Sequence, residues 1–310
     1  APPFTVGARF FRTRLRGFGV KVIKALGVVN AYIRSAGMIR QAERIAEELR
    51  ARGCAAEIVK NGAFPAAVSG GNISFEGERP DFVVYLDKDK YLPRMLERAG
   101  LRLFNRAEAV ELCDDKMLTF IRLAGKGLNL PDTLPAPLCY YADARLPEGY
   151  ARRIGGRLGW PVVVKKSYGS WGAEVRLAKN EAELAAAAEE LRLYPHLYQK
   201  FVGKAGEDCR ILVIGGRAAA CMRRKNEHDF RSNVELGGRG EPASPPASFL
   251  RAAERCAAVL GLDYCGVDVL DETGEPYICE VNSTALFTAA ERVTGVTVAG
   301  AYAELMLRGM

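Results

Sequence analysis

The 310-residue chain is 49% hydrophobic and 26% charged, which is the composition of a soluble globular protein of two or three domains. No apolar run approaches the roughly 20 residues needed to cross a bilayer, so a membrane-spanning helix is excluded. Six of the +7 net charges lie in residues 1–24, where there is no acid, and the near-neutral remainder argues against a basic nucleic-acid-binding face.

The basic leader, residues 1–24, has four phenylalanines among its arginines. It lacks the continuous apolar segment and the small-residue cleavage site of a secretory signal. We expect an extension outside the folded core. Binding of this leader to an acidic surface is the alternative.

Cysteine and histidine usage narrows the possible chemistry. None of the eight cysteines has Cys-x-x-Cys spacing and most lie in apolar runs, which indicates buried thiols in a reducing cytoplasm rather than zinc ligands or disulfides. Only two histidines are present, His196 and His228, which argues against a His-rich metal site or a Ser-His-Asp triad.

Strands and helices alternate in the first third of the chain. Strands are predicted over residues 25–31, 55–60, 81–86 and 101–104, with helices over 37–52 and 91–99. Such alternation predicts a parallel α/β domain that ends near Cys113. A helix over 115–125 then leads into a proline-rich connection, where a domain boundary is expected.

The next part of the chain contains shorter elements. Helices are predicted near 148–158 and from Asn180, a predicted N-cap with Glu183, to about residue 193. Strands are predicted at 161–165, 175–178 and 197–202, followed by a hairpin at 210–222 around a two-glycine turn. A polar stretch, 233–242, precedes a helix ending at Gly261, and a last helix covers 298–307.

Residues 265–282 read as a β-hairpin whose turn contains Gly274. A turn centred there pairs Asp268 with Glu280 and places Asn282 one pleat further along. Strict alternation would put Ile278 on the same face as Glu280, and Cys279 on the other face.

Two carboxylates on one patch repel each other unless a hard divalent cation lies between them. Magnesium takes few protein oxygens and completes its octahedron with water and substrate phosphates. The hairpin therefore suggests a magnesium–nucleotide site. Two unrelated carboxylates on a solvated strand face are the open alternative.

Cationic and glycine-rich segments precede this hairpin. Lys165 ends an apolar strand and is followed by Gly169-Ser-Trp-Gly172, a loop whose backbone N–H groups could approach a phosphate. For this loop taken by itself an ordinary hairpin turn is the favoured interpretation, and no P-loop sequence is present. For Arg223-Arg224-Lys225, a solvated charged rim is the simpler interpretation.

Taken in order, these motifs resemble the ATP-grasp superfamily and, within it, the RimK-type α-L-glutamate ligases. The likeness runs from about residue 25 to the end of the chain. The motifs that carry it are Asp115-Lys116, Pro161-Val-Val-Val-Lys165 with Gly169-x-x-Gly172, Gln199-Lys-Phe-Val202, Asp208-x-Arg210, Asp229-Phe-Arg-Ser-Asn233, Gly266-Val-Asp268-Val and Glu280-Val-Asn282.

The resemblance implies a fold and a division of the chain. The fold is an N-terminal α/β domain followed by two α+β lobes that hold ATP between them. The implied bounds are a basic extension (1–24), an α/β domain (25–114), a middle lobe (115–198) and a C-terminal lobe (199–310).

The resemblance also implies roles for individual residues. Lys116 and Lys165 would bind the ATP phosphates, and Asp208 would lie near the ribose. The hinge beside adenine would be Gln199, Lys200, Phe201 and Val202. The residues that line the nucleotide would be Arg231, Ser232 and Asn233. Asp268, Glu280 and Asn282 would bind magnesium or manganese. Arg210, with Lys165, would be catalytic by stabilising an acyl phosphate, and Arg223 or Arg224 would hold a substrate carboxylate.

Three positions depart from the family pattern. The hinge has Lys200 where the family usually has Glu, the glycine loop has Glu174 in place of a third glycine, and Asn282 is followed by Ser283–Phe287 rather than a proline turn. The first departure bears on the contact with adenine and the second on how the glycine loop closes over the phosphates. The third bears on the pocket for the acceptor substrate.

The implied reaction is ATP-dependent amide formation through an acyl phosphate, with glutamate or a similar amino acid joined to a protein, peptide or metabolite. The cofactors are ATP and magnesium, and neither nucleic acid nor membrane is an expected partner. A nucleotide-binding module without ligase activity is one alternative, and a nucleic-acid binder driven by the leader is another. A homo-oligomer is left open.

Overall fold

The computed structural model describes residues 21–169, 172, 174–233, 237–308 and 310. Most of the predicted leader, residues 1–20, and Ser170 and Trp171 of the glycine loop lie outside this part. The described chain forms sheets of four, four and five strands, a two-stranded hairpin, and helices packed on them. None of these helices is long and apolar enough to span a membrane.

The first sheet is parallel. Its strands are β1 (Lys24–Val29), β2 (Ala55–Lys60), β5 (Phe82–Tyr85) and β6 (Arg102–Phe104), in the order β2-β1-β5-β6, with helices α1 (Ala36–Ala51) and α2 (Leu92–Arg98). The predicted parallel α/β domain is confirmed. The hairpin of β3 (Ala66–Ser69) and β4 (Asn72–Phe75) was not predicted, because each strand contains only one β-branched residue.

The second sheet is antiparallel and has its own core. Its strands are β7 (Thr133–Pro135), β8 (Val162–Lys166), β9 (Val175–Ala178) and β10 (His196–Lys200), in the order β7-β10-β8-β9, covered by α5 (Tyr150–Leu158) and α6 (Glu181–Leu191). The predicted cap of α6 is confirmed, since Asn180 Oδ1 accepts the Glu183 N–H at 3.0 Å. Strand β7, inside the proline-rich connection, was missed.

The third sheet is also antiparallel. Its strands are β11 (Glu207–Ile214), β12 (Arg217–Lys225), β13 (Arg239–Pro242), β14 (Tyr264–Glu272) and β15 (Glu275–Asn282), in the order β13-β12-β11-β14-β15. Helix α7 (Ala247–Leu260) packs on it and ends as predicted at Gly261, whose φ of +70° suits glycine. Both predicted hairpins are confirmed.

The described chain has four further helices, two between the first and second sheets and two after β15. They are α3 (Ala107–Asp114), α4 (Lys116–Leu123), α8 (Thr288–Thr294) and α9 (Val298–Leu307). The helix predicted over 115–125 corresponds to α4. Asp115 is its N-cap, and its Oδ1 accepts the backbone N–H of Met117 at 2.9 Å and of Leu118 at 3.2 Å. The short α3 and α8 were not predicted.

The first and third sheets share one hydrophobic core, which includes Leu49 of α1, Phe82 of β5, Leu212 of β11 and Tyr302 of α9. The buried amide of Asn105 joins them, since its Nδ2 donates to the carbonyls of Tyr264 and Ser283 at 2.7 and 2.9 Å. Each fully buried apolar side chain contributes roughly 1.5–3 kcal/mol. This packing fixes the chain just after β15 against the first sheet.

Candidate active site

The site is centred on the β14–β15 hairpin, where Asp268 pairs with Glu280 as predicted. The turn lies between Glu272 and Glu275, half a residue before the predicted centre. A β-bulge after Asp268 restores the predicted pairing. Directly opposed residues point to the same face of a sheet, so both carboxylates lie on one patch.

The same bulge changes the faces of the neighbouring residues. Ile278 is fully buried in the hydrophobic core with Val267 and Val281, whereas Cys279 lines the cleft together with Glu280. The expectation that Ile278 shares the face of Glu280 is therefore wrong. The extra residue in one strand interrupts the period-two alternation on which that expectation rested.

Strand register also assembles a buried cluster of two arginines and two carboxylates. Asp268 is opposite Arg210 on β11, whose Nε and Nη2 each donate to it at 2.7 Å. Asp208, two residues earlier on β11, is opposite Arg224 on β12 and accepts from its Nε at 2.8 Å. Arg224 Nη2 also lies 2.9 Å from Asp268. Two positive and two negative charges therefore neutralise each other.

Electrostatics in this cluster favour the ionised carboxylate. Burial works against the charge of Asp268, but Arg210 and Arg224 hold its pKa below the ordinary value. The cluster leaves Arg224 only 2% exposed and occupied by protein carboxylates. Arg223 lies one residue away on the opposite face of β12, where it is exposed.

Two buried lysines face the hairpin carboxylates from other elements. Lys165 at the end of β8 donates to Gln199 Oε1 at 2.8 Å and lies 3.7 Å from Cys279 Sγ. Lys116, in the first turn of α4, donates to the Gly169 carbonyl at 2.8 Å and lies 3.3 Å from Glu280 Oε1. Burial opposes the charge of Glu280, but Lys116 and Lys165 lower its pKa.

The rim of the cleft links the second sheet to the other two. Arg231 is held by Asp229 at 2.9 and 2.7 Å and donates to the carbonyl of Gly172 in the glycine loop. Tyr168, just before this loop, accepts a hydrogen bond from Lys90 at 3.1 Å. These contacts attach Tyr168 and Gly172 to the rim of the cleft.

Most of the predicted site residues line this one cleft. They are Lys116, Lys165, Gln199, Lys200, Phe201, Val202, Asp208, Arg224, Arg231, Ser232, Asn233, Asp268 and Glu280. Arg210 and Asn282 line an adjacent cavity, which shares Asn233 and Glu280 with the cleft. Arg223 is not among the residues that line either space.

The three departures from the family pattern also have defined places. Lys200 points its side chain to solvent, while its backbone N–H donates to the Asp132 carbonyl at 2.8 Å. Glu174 lines the cleft and pairs with Lys166 at 3.0 Å. Leu286 lines the adjacent cavity.

Two residues at the site and one side-chain role were not identified from the sequence. Gln199 was predicted as part of the hinge, and its side chain also joins Lys165 to Thr133, to whose Oγ1 its Nε2 donates at 2.9 Å. Asp87 and Lys88, which line the adjacent cavity, were missed entirely. Their position just past β5 was the available signal, because ligands bind at the carboxyl ends of parallel strands.

The donor set fits a magnesium ion carried by a nucleotide. No group of three or more His, Cys, Asp or Glu side chains suited to a metal occurs among the described residues. Two carboxylates and an amide, Asp268, Glu280 and Asn282, lie at the end of the hairpin, and each carboxylate has about four lone-pair directions. Magnesium commonly takes one or two carboxylates and completes its shell with water and phosphates.

Comparison with known proteins agrees with this geometry. A family model described as a RimK-like ATP-grasp domain matches residues 113–306. Human beta-citrylglutamate synthase B is 35% identical over 227 residues, which is 71% of this chain and 57% of that protein. A probable alpha-L-glutamate ligase of Maridesulfovibrio salexigens is 34% identical over 67% of each chain. The alignment thus spans little more than half of the human relative.

Solved structures show the same fold at low sequence identity. A RimK-domain ATP-grasp protein from Sphaerobacter thermophilus superposes with a TM-score of 0.66 at 21% identity, covering 91% of this chain and 99% of that one. The VanG D-Ala:D-Ser ligase of Enterococcus faecalis gives 0.72 at 14% identity, covering 92% and 99%. The family model covers more than half of the sequence, and the chain therefore belongs to the RimK-like ATP-grasp family.

Proposed function

We propose that this protein is an ATP-dependent carboxylate–amine ligase that forms an amide bond through an acyl phosphate. The observation that carries the proposal is the meeting, in one cleft, of the Asp268–Glu280 pair with two buried lysines, Lys116 and Lys165. This arrangement suits a metal-bound triphosphate. Relatives named for glutamate ligation or glutamate-containing products support glutamate as the added amino acid.

Lys165 is suited to bind a phosphate because its direct hydrogen-bond partners are uncharged, although Glu280 lies near enough to feel its charge. Its hydrogen-bond partners among the described residues, Gln199 and Cys279, are neutral side chains. Burial raises the pKa of the Cys279 thiol, which keeps that group uncharged. We assign Lys165 and Lys116 to the ATP phosphates, with Gln199 orienting Lys165 through Thr133.

The hairpin carboxylates and Arg210 lie near the junction of the nucleotide cleft and the adjacent cavity. Asp268, Glu280 and Asn282 would hold magnesium, which supplies neutralisation of phosphate charge when bound. Arg210, held against Asp268, lines the adjacent cavity beside Glu280 and would stabilise the acyl phosphate. Arg231, Ser232 and Asn233 would line the nucleotide, and residues 199–202 would pack beside adenine.

The reaction proceeds by two displacements. A substrate carboxylate oxygen attacks the γ-phosphorus, the bond to the ADP oxygen breaks, and an acyl phosphate forms. An amine nitrogen then attacks the acyl carbon, phosphate leaves with the electron pair of the broken C–O bond, and the nitrogen loses one proton to the departing phosphate or to water. Neither step needs a covalent enzyme intermediate. The enzyme would accelerate both steps by positioning the reactants and neutralising their charge.

We also propose domain bounds at 25–114, 115–198 and 199–310, after the extension 1–24. The three large sheets support this division, although β10 crosses the last bound. A cytoplasmic location is supported by the eight cysteines, which are all free thiols. The carboxylate substrate would be a protein tail, a peptide or a metabolite.

The decisive experiment measures ADP release from the full-length protein across a matrix of carboxylates and amines, with hydroxylamine as a trap for the acyl phosphate. We expect magnesium-dependent ADP release with at least one acid, and a hydroxamate of that acid. ATP binding without ADP formation in any mixture would instead identify a nucleotide-binding module without ligase activity.

A further inference from the structure

The cavity beside the nucleotide cleft lies between the first sheet and the end of the β14–β15 hairpin. Asp87 and Lys88 line it from the first sheet, and Arg210, Asn233, Glu280 and Asn282 line it from the third. It adjoins the cleft through Asn233 and Glu280. A substrate in this cavity would therefore lie next to the proposed site of phosphoryl transfer.

Asp87 occupies the point where a parallel sheet most readily binds a ligand. It follows β5, which pairs with one edge of β1, whereas β2 pairs with the other edge. The chain order therefore reverses between β1 and β5, and ligands commonly bind at such a switch point. Asn30 follows β1 and Asn61 follows β2, and both amides donate to Asp87 Oδ2, at 2.9 and 2.8 Å. Asp87 is thus held rigidly at the carboxyl edge of the sheet.

The donors that hold Asp87 are neutral groups, and they include the backbone N–H of Lys88. Among the described residues, the side chains that donate to it are these two neutral amides, and only 8% of the residue is exposed. The adjacent Lys88 lies 3.4 Å from Asp114. Burial is the main cause of the raised pKa of Asp87. A ligand cation would relieve this cost of burying a carboxylate.

Opposite charges elsewhere in the same cavity complete the pattern. Lys88 and Arg210 are the cations that line this cavity. Glu280, the second acid that lines it, already has a cationic partner, because Lys116 Nζ lies 3.3 Å from its Oε1. A ligand with one ammonium group and one or more carboxylates would place the ammonium at Asp87 and its carboxylates beside the two cations that line the cavity, each of which also pairs with a protein acid, Asp114 or Asp268.

We propose that Asp87 binds the ammonium group of the amine substrate, an acidic α-amino acid whose carboxylates face Lys88 and Arg210. This assignment rests on the proposed ligase function and adds to it the residue that recognises the amine. The amides of Asn30 and Asn61 act as positioning residues, since they fix the carboxylate rather than contact the ligand.

The test compares L-glutamate with glutarate, which differs only by lacking the ammonium group. Binding is measured by calorimetry to the full-length protein with magnesium and a non-hydrolysable ATP analogue. We expect L-glutamate to bind roughly 10- to 100-fold more tightly than glutarate, the range for a charge-assisted hydrogen bond. In Asp87→Asn this preference should fall below about threefold.

The matched control is Asp81→Asn, the same chemical change at the amino end of β5, where Asp81 accepts the Lys24 N–H at 2.9 Å. This variant should keep the full preference for L-glutamate. Equal binding of the two ligands by the wild-type protein overturns the proposal, and so does an unchanged preference in Asp87→Asn. The wild-type comparison can overturn the proposal even if Asp87→Asn does not fold.

Binding of the ATP analogue separates this inference from the ligase proposal. If the analogue binds and L-glutamate and L-aspartate do not, the assignment of Asp87 is wrong while the ligase remains to be judged by ADP release. If the analogue does not bind either, both proposals fail. Trapping with hydroxylamine also distinguishes the two proposals. Hydroxylamine reacts with the acyl phosphate even when no amino acid is bound at Asp87.

Discussion

The guanidinium of Arg210 lies 2.7 Å from each carboxylate oxygen of Asp268, its cross-strand neighbour 58 residues further along the chain. Arg224 reaches the same carboxylate from β12 at 2.9 Å and also holds Asp208. The charges are balanced only when all four side chains are present. The site is therefore preorganised by the third sheet, and changes within this cluster affect the fold as well as the chemistry.

Loss of Arg224 should destabilise the protein strongly. Arg224→Met leaves Asp208 and part of Asp268 buried without their cation, which costs about 3–5 kcal/mol of unfolding free energy. Urea denaturation measures this loss. Arg223→Met, on the exposed face of the same strand, should change the unfolding free energy by less than about 0.5 kcal/mol. Equal effects of the two substitutions would contradict the cluster described above.

Glu280→Gln should abolish ADP release while leaving the protein folded. Glu280 is partly accessible and contacts Lys116, outside the arginine cluster, so its loss removes a proposed metal ligand at little structural cost. The control is Glu275→Gln, an exposed residue at the other end of β15. We expect wild-type ADP release from the control, and magnesium-dependent turnover in Glu280→Gln would refute the proposed metal site.

Gln199→Glu should weaken binding of ATP. The new carboxylate would stand where the Gln199 oxygen lies, 2.8 Å from Lys165, and would neutralise the charge proposed for the phosphates. We expect a loss of affinity on the order of tenfold for a non-hydrolysable ATP analogue, about 1.4 kcal/mol. Gln199→Leu removes the same hydrogen bonds without adding charge. If it weakens binding as much, charge is not the reason.

The unfolding free energy of Asp87→Asn should change with pH relative to the wild-type protein. The folded-state pKa of Asp87 is raised above the ordinary value of 3.8, so the folded state holds this proton more tightly than the unfolded chain. The resulting stability is present below 3.8 and is lost as pH rises through the raised value. The variant cannot lose it, so it should gain stability relative to wild type between pH 4 and pH 7.

Urea titrations of both proteins at pH 4, 5, 6 and 7, without ligand, measure this difference. Asp81→Asn serves as the reference, because Lys21 and the Lys24 backbone lower the pKa of Asp81, so its pH-dependent contribution to stability is lost only below the ordinary value of 3.8 and its difference from wild type should be nearly constant from pH 4 to pH 7. A pH-independent difference between wild type and Asp87→Asn would show that the Asp87 carboxylate ionises as it does in the unfolded chain.

Local pattern was sufficient for the elements that carry most of the site. The alternation around 265–282 predicted the pairing of Asp268 with Glu280, and the apolar run before Lys165 predicted β8. The bulge could not be foreseen, because it depends on how the turn and the strand ends fit together. It moved Ile278 into the core and Cys279 into the cleft.

Contacts between distant segments were out of reach of sequence patterns. The partners of Arg224 depend on the register of three strands, and Arg223 and Arg224 could not be distinguished until that register placed them on opposite faces. Gln199 was predicted as part of the hinge, and its side chain also serves Lys165. Asp87 acquires its surroundings only from the order of the parallel strands.

The separate core of the second sheet has a mechanical consequence. Leu184, Val164 and Tyr198 pack among themselves, whereas the first and third sheets share one apolar interior. Polar contacts such as Arg231 with Gly172 and Lys116 with Gly169 join the second sheet to the rest across the cleft. We therefore expect the nucleotide to enter and leave when the second sheet rotates as a rigid body relative to the first and third sheets.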